Sequence, residues 1–298
     1  MNIQKSQKLY SFAKINLFFN IVSKRQDNYH QIETIMQTID LKDEIMIKNT
    51  NKSIIIKCNN SSIPLDNRNT VYRAAELMIN RYHLDEGYEI EIKKGIPQGA
   101  GLAGGSGNAA AVILGIRDLK GLNISDEELV DLGKAIGADV PFCIFGGTCL
   151  AQGAGEKLTR LKDFYWQNIL VVKPQFGIAT KDIYGLITPE MFNRYDINIL
   201  IDKINEGKDD EVILECKSAL EDIVIEIYPE IKSIKNHILK TGGISAQMTG
   251  TGSAVIGFYP DSLTLNQAAT YFRQQYKEIY ITRTTREGIE NGEKARCY

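Results

Sequence analysis

Cysteine pairs, long apolar runs and an excess of charge of one sign are all missing from this sequence, and each absence removes a class of function. The five cysteines, Cys58, Cys143, Cys149, Cys216 and Cys297, form no Cys-x-x-Cys pair and have no histidine neighbours. That argues against a zinc site or a disulfide framework and fits reduced thiols in a cytoplasm. No segment approaches the roughly eighteen uninterrupted apolar residues of a membrane span, and residues 1–10 are polar, without a signal-peptide core. A soluble, unprocessed, cytoplasmic chain is expected. The 35 basic and 37 acidic residues are mixed along the chain, for a formal net charge of −2, so there is no footprint for nucleic acid or an anionic membrane. The expected partner is a small molecule, and no protein partner is implied. Repeats of solenoid period and low-complexity segments are also absent.

What is present is 298 residues, enough for two domains with cores of their own. Up to about residue 94 the pattern is mainly strand, over 10–22, 31–39, 44–48, 53–57 and 88–93, broken by polar turns. One helix interrupts them, capped by Asn69 or Thr70 and carrying Val71, Ala74, Ala75, Met78 and Ile79 at helical spacing. A glycine-rich run, 95–108, leads into the helix formers Ala109, Ala110, Ala111, Val112, Ile113 and Leu114. The next helix opens on a capping box, Ser125 and Glu128, and shows Leu129, Leu132 and Ile136 on one face. After Gly155 a second unit begins with an apolar strand over 169–172 and ends as helix, strand, glycine turn, strand, helix, strand over 229–282. That order suggests a ferredoxin-like α+β layer. The expected division is residues 1–157 and 158–298.

Three segments can carry chemistry. Along Ala13-Lys14-Ile15-Asn16-Leu17-Phe18-Phe19-Asn20-Ile21 the odd positions are apolar, while Lys14, Asn16 and Asn20 share the opposite face. That face is either solvated or lines a cleft for anionic phosphate. In the glycine run, residues without side chains let backbone N–H groups approach phosphate oxygens, and the following helix adds its positive N-terminal end. Gly99, Gly101 and Gly104 match G-x-G-x-x-G, but a dinucleotide site needs an acidic residue about 20 positions on, closing a second strand. That distance falls at Leu119, inside a helix. A Walker A loop is excluded, because no Gly-Lys-Ser/Thr ends the run. The glycines therefore serve phosphate or tight packing. Asp139, in Gly137-Ala138-Asp139-Val140-Pro141, is either a catalytic carboxylate or the cap of a short helix. Gly250 and Gly252 read as a hairpin turn.

Taken in order, Ala13-Lys14-Ile15-Asn16-Leu17, residues 97–110 and Thr249-Gly250-Thr251-Gly252-Ser253 resemble the three motifs of the GHMP kinases, the family of galactokinase, homoserine kinase, mevalonate kinase and phosphomevalonate kinase. Lys24-Arg25-Gln26-Asp27-Asn28-Tyr29-His30, residues 34–43, Gly137-Ala138-Asp139-Val140-Pro141-Phe142 and Gly153-Ala154-Gly155-Glu156 are similar to one branch of that family. Its members phosphorylate a cytidine diphosphate-linked polyol on a non-mevalonate route to isoprenoid precursors. The resemblance runs from about residue 12 to 259. It implies an α/β (α+β) chain with an N-terminal ATP-binding domain and a C-terminal ferredoxin-like substrate domain, using ATP with Mg2+. By position it implies that Asp139 is the base for the acceptor hydroxyl and that Lys14 orients Asp139 and the phosphoryl, with Asn16 beside them. Pro97, Gly99, Ala100, Gly101, Leu102, Ala103, Gly104, Gly105, Ser106, Gly107 and Asn108 would hold the nucleotide phosphates, and Asn69, Thr70 and Val71 would border the adenine. Tyr29 and Tyr184 would bracket the cytosine, His30 would read its edge, and Thr180, Gly250, Thr251 and Gly252 would complete the substrate site.

Two residues depart from the family pattern. Gly107 stands where the family usually has a second serine, which removes a hydroxyl from the expected phosphate loop. Asn28 replaces a usual glycine and tolerates left-handed angles better than other residues. The competing expectations are a family member acting on homoserine or a mevalonate-pathway intermediate, or a nucleotide-binding protein without turnover. Intact Lys14 and Asp139 speak against the last.

Overall fold

The apolar alternation near the start becomes β1 (Ser6–Lys24), antiparallel to β2 (His30–Thr50). The computed structural model describes residues 6–26 and 30–292; Asn28, Tyr29 and Cys297 lie outside that set. One expectation is corrected at once, because residues 31–39 and 44–48 are not two strands but one. The ladder absorbs the polar residues in between by a register shift, with Phe12 opposite Lys42 but Ala13 opposite Ile39, a bulge that bends the pair. Asp43 is drawn fully inside, where its Oδ1 accepts from the backbone N–H groups of Gly95 and Ile96 at 2.8 Å each and its other oxygen pairs with Lys94. What reads as turn chemistry is a buried, fully bonded anchor.

β3 (Ile54–Cys58) runs parallel to β4 (Gly87–Lys93), which extends the sheet from β2, and α1 (Thr70–Arg81) connects them. Asn69 caps α1, its Oδ1 accepting from the Val71 N–H at 2.9 Å. Next come α2 (Gly104–Lys120) and α3 (Asp126–Ile136). Ser125 caps α3 by accepting from the Glu128 N–H at 3.2 Å, but the Glu128 carboxylate turns to Arg81 at 3.3 Å, so the structure gives only this arm of the expected box. α4 (Val140–Phe145), β5 (Thr148–Gly153) and β6 (Lys157–Arg160) complete this half; β5 pairs with β2, and β6 with β5.

The chain continues through β7 (Ile169–Lys173), α5 (Thr180–Tyr184), α6 (Asn198–Glu206), α7 (Asp209–Val212), β8 (Lys217–Ser218), α8 (Glu221–Ile227) and α9 (Pro229–Lys240). β9 (Ser245–Met248), β10 (Val255–Phe258), α10 (Ser262–Arg273), β11 (Glu278–Thr282) and β12 (Ile289–Asn291) follow. The second sheet has the order β11-β7-β10-β9, with every neighbour antiparallel. That is the ferredoxin-like arrangement, and α9 and α10 bury Ile231, Ile234, Ile238, Leu265 and Phe272 against one face of it. The other face meets the apolar side of β1: Ala13, Ile15 and Leu17 pack with Ile169, Val171, Ile256 and Phe258. β8 and β12 pair with β1, returning the second half of the chain to the first sheet. Among the described residues, no helix is long and apolar enough to cross a membrane.

Candidate active site

With one side of β1 sealed by the second sheet, Lys14 and Asn16 are buried as well, 5% and 4% exposed. The solvated-face alternative is therefore wrong. A buried ammonium needs compensation, and Lys14 Nζ finds it in Asn16 Oδ1 at 2.7 Å and Asp139 Oδ2 at 3.8 Å. Asn16 is itself held on every side. Its Nδ2 donates to Thr34 Oγ1 at 2.7 Å, its backbone N–H to Thr249 Oγ1 at 3.0 Å, and its carbonyl accepts from Gln247 Nε2 at 2.6 Å. Such a network fixes the lysine in one place.

Asp139 occupies the N-cap position of α4 without capping it: its side chain accepts no cap hydrogen bond. The carboxylate, about a third exposed at 35%, looks instead toward Lys14. Pro141 at the start of α4 needs no N–H partner there, so the helix forms without that carboxylate.

The glycine loop is strung between the two halves. Ser253 and Ala254 donate their backbone N–H groups to Gly99 and Ala100 carbonyls at 3.4 and 3.2 Å, and Lys14 donates to the Leu102 carbonyl at 3.2 Å. Glycine is required at Gly101, whose φ is +75° and where a Cβ would meet the Thr249 carbonyl oxygen at 2.3 Å. The loop ends at Ala103, φ +55°, and α2 begins with no side chain capping its N-terminus, which leaves N–H groups for an anion. Thr70 Oγ1 donates to the Gly105 carbonyl at 2.8 Å, bringing the α1 cap region against the loop.

All these groups open onto one cleft of about 1090 Å³, more than a single small ligand fills. Every residue expected at the nucleotide lines it except Gly107 and Val71. Val71 is buried in the core beneath α1. Gly107 packs on β1, where a Cβ would lie 3.4 Å from the Phe12 carbonyl oxygen and from Ser11 Oγ. A side chain at 107 would thus point at the strand, so the missing serine takes no hydroxyl from the cleft, contrary to the sequence expectation.

The cleft also receives His30, Thr180, Tyr184, Gly250, Thr251 and Gly252, whereas Tyr29 lies outside the described residues. His30 and Tyr184 meet edge to face, ring centroids 5.5 Å apart. His30 is buried, yet neither ring nitrogen has a hydrogen-bond partner among the described residues. Burial first, and the Lys24 charge second, hold its pKa below the ordinary histidine value, which favours the neutral ring. Burial, with a contribution from the Asp139 charge, pushes the Tyr184 hydroxyl up. The hydroxyls of Thr180 and Thr251, 3.2 Å apart, tie α5 to the β9–β10 turn.

Charge in the cleft is one-sided: among the described residues Lys14, Lys24, Arg68, Lys94 and Lys181 line it, against the carboxylate of Asp139. Anionic ligands are what it suits. Lys94 was not singled out from the sequence. Its ammonium reaches the start of α2, 3.0 Å from where a Cβ on Gly104 would be, while Asp43 anchors it. Among the described residues, no three His, Cys, Asp or Glu side chains gather into a metal cage.

A glycine loop leading into a helix whose N-terminus has no side-chain cap, a buried lysine with a facing carboxylate and a ferredoxin-like second layer fit a small-molecule kinase. Residues 69–147 match the model of the GHMP kinases N terminal domain and residues 196–278 that of the GHMP kinases C terminal domain. The chain belongs to the GHMP kinase family and is an ATP-dependent phosphotransferase acting on a small molecule. Within the family it is 42% identical over 275 residues to the 4-diphosphocytidyl-2-C-methyl-D-erythritol kinase of Clostridium novyi (strain NT), covering 92% of this chain and 98% of that one. The kinase of the same name from Clostridium botulinum (strain Kyoto / Type A2) is 43% identical over 273 residues, with 91% and 98% covered. A crystal structure of 4-(cytidine 5'-diphospho)-2C-methyl-D-erythritol kinase superposes with a TM-score of 0.79 at 26% identity, covering 93% of this chain and 98% of that chain. The homoserine kinase of Cytophaga hutchinsonii ATCC 33406 reaches a TM-score of 0.74 at 15% identity, covering 98% of each, a likeness of fold alone.

Proposed function

We propose that this chain transfers the γ-phosphoryl group of ATP to the 2-hydroxyl of 4-diphosphocytidyl-2-C-methyl-D-erythritol, on the non-mevalonate route to isoprenoid precursors. The observation that carries this reading is His30: a buried ring with no hydrogen-bond partner among the described residues, against Tyr184 and in the same cleft as the glycine loop and the Lys14–Asp139 pair. A buried polar ring without a partner awaits one from a ligand. A flat pyrimidine supplies a face for Tyr184 and hydrogen-bonding groups for both imidazole nitrogens.

Phosphoryl transfer needs donor and acceptor held in line and spread negative charge stabilised, with little covalent work from the protein. The acceptor hydroxyl oxygen bonds to the γ-phosphorus as the bond to the β-phosphate oxygen breaks, ADP leaves, and Asp139 takes the hydroxyl proton. Lys14, fixed by Asn16, orients Asp139 and faces the charge on the transferring group. Backbone N–H groups of the glycine loop and the start of α2 hold the phosphates, while Asn69 and Thr70 border the adenine. Magnesium bound to the nucleotide would neutralise phosphate charge. Residues 1–157 act as the ATP-binding and catalytic unit and 158–298 as the substrate unit, although β6, β8 and β12 pair in the first sheet. Tyr29, adjacent to His30, is assigned to the second face of the cytosine.

Tyr184→Ala tests the base site. Lost stacking on one base costs about 1 to 3 kcal/mol, so KM for the cytidyl substrate should rise about 5- to 150-fold while KM for ATP stays within about twofold. Steady-state kinetics with each substrate varied in turn decide it. An equal rise in the KM for ATP would remove Tyr184 from the cytosine site.

A further inference from the structure

The positive charge of the cleft is unevenly compensated. Lys14 faces Asp139, Lys94 pairs with Asp43 and Arg68 pairs with Asp66. Lys24 and Lys181 line the same cleft with no ion pair and no side-chain hydrogen bond among the described residues. Their positions are specific. Lys24 is the ladder partner of His30 across β1 and β2, and Lys181 stands one turn before Tyr184 on α5. The charge left unpaired among the described residues therefore sits at the end of β1, directly opposite His30, and on α5, which carries Tyr184.

Two flexible ammonium groups beside one site, with no carboxylate paired to them among the described residues, are suited to an anion with two charged groups in a row. The nucleotide phosphates have another home, in the glycine-loop N–H groups, the α2 N-terminus and Lys94. The substrate proposed above carries a second anion, the diphosphate joining its cytidine to its polyol. We infer that Lys24 and Lys181 are specificity-determining residues that clasp this diphosphate, making the acceptor site selective for a cytidine diphosphate conjugate over a free polyol phosphate. The inference rests on His30 and Tyr184 being the cytosine site.

Calorimetric titration of cytidine and of CDP tests both layers, with the glycine loop filled by a non-hydrolysable ATP analogue so that CDP has only the acceptor site. Wild type should bind CDP about tenfold more tightly than cytidine, the equivalent of one good charge-assisted contact, and added salt should erode that preference. Lys24→Gln/Lys181→Gln should bind cytidine as wild type does and lose the preference for CDP, with affinity for the ATP analogue unchanged. A double variant that keeps the preference shows that these lysines do not hold the diphosphate. A double variant that loses affinity for the ATP analogue while keeping CDP assigns them to the nucleotide phosphates and also overturns the inference. Wild type that binds neither cytidine nor CDP refutes the cytosine reading itself, and the clasp with it. That failure is recognisable because in the first two outcomes cytidine still binds.

Discussion

Asp139→Asn folds, binds ATP and melts close to wild type, but turns over roughly 10²- to 10⁴-fold more slowly. That result is expected because aspartate and asparagine cap helices about equally well and because the Asp139 carboxylate makes no cap hydrogen bond in any case. Lys14 retains its 2.7 Å bond to Asn16, so the buried ammonium is not left without a partner. The amide preserves the shape of the carboxylate but cannot accept a proton from the acceptor hydroxyl. Melting temperature, ATP affinity and kcat should be measured on the same preparation. A stable, ATP-binding variant with undiminished turnover would take Asp139 out of the mechanism.

Lys14→Met should lower kcat by roughly 10²- to 10³-fold, the usual effect of removing one preorganised charge from a transferring group. Methionine is close to the volume of the lysine stem and adapts to irregular surroundings, so the strand should still form. Asn16 Oδ1 then loses its donor in a buried setting, and the variant should be less stable by about 1 to 3 kcal/mol. Denaturant melts and single-turnover rates separate the two effects. If Lys14 and Asp139 act as a unit, the double variant Lys14→Met/Asp139→Asn should be scarcely slower than the worse single variant. Rate losses that multiply would show two independent roles.

The parts of this fold that were legible in the sequence are those whose cause is local. Asn69 is two residues from the N–H it caps, the alternation along β1 is set by the pleat, and the order of elements in the second half already spells a ferredoxin-like layer. Features decided by distant partners were not legible. The continuity of β2 depends on a bulge opposite Phe12 and Ala13, and Asp43 looks like a turn residue until the N–H groups of Gly95 and Ile96 are placed against it. The pleat alone makes Asn16 a companion of Lys14, whereas Gln247 and Thr249, which hold its backbone, lie 231 and 233 residues away. Lys94 carries no signal in the sequence, because nothing in its neighbourhood reveals that it pairs with Asp43 and reaches the start of α2. The orientation of Gly107 toward Ser11 and Phe12 likewise depends on how α2 packs on β1, which no local pattern encodes.

The central claim is that one cleft combines kinase chemistry with selectivity for a cytidyl acceptor. ADP release with ATP and magnesium tests it most directly, comparing 4-diphosphocytidyl-2-C-methyl-D-erythritol, methylerythritol phosphate, homoserine and mevalonate under identical conditions. A site whose buried polar groups are built for one ligand rejects acceptors that leave those groups unpaired. The kcat/KM for the cytidyl compound should therefore exceed that for each of the others by at least about 10³-fold. Homoserine or mevalonate used as well as the cytidyl compound, or no ADP release with any acceptor, would contradict the account.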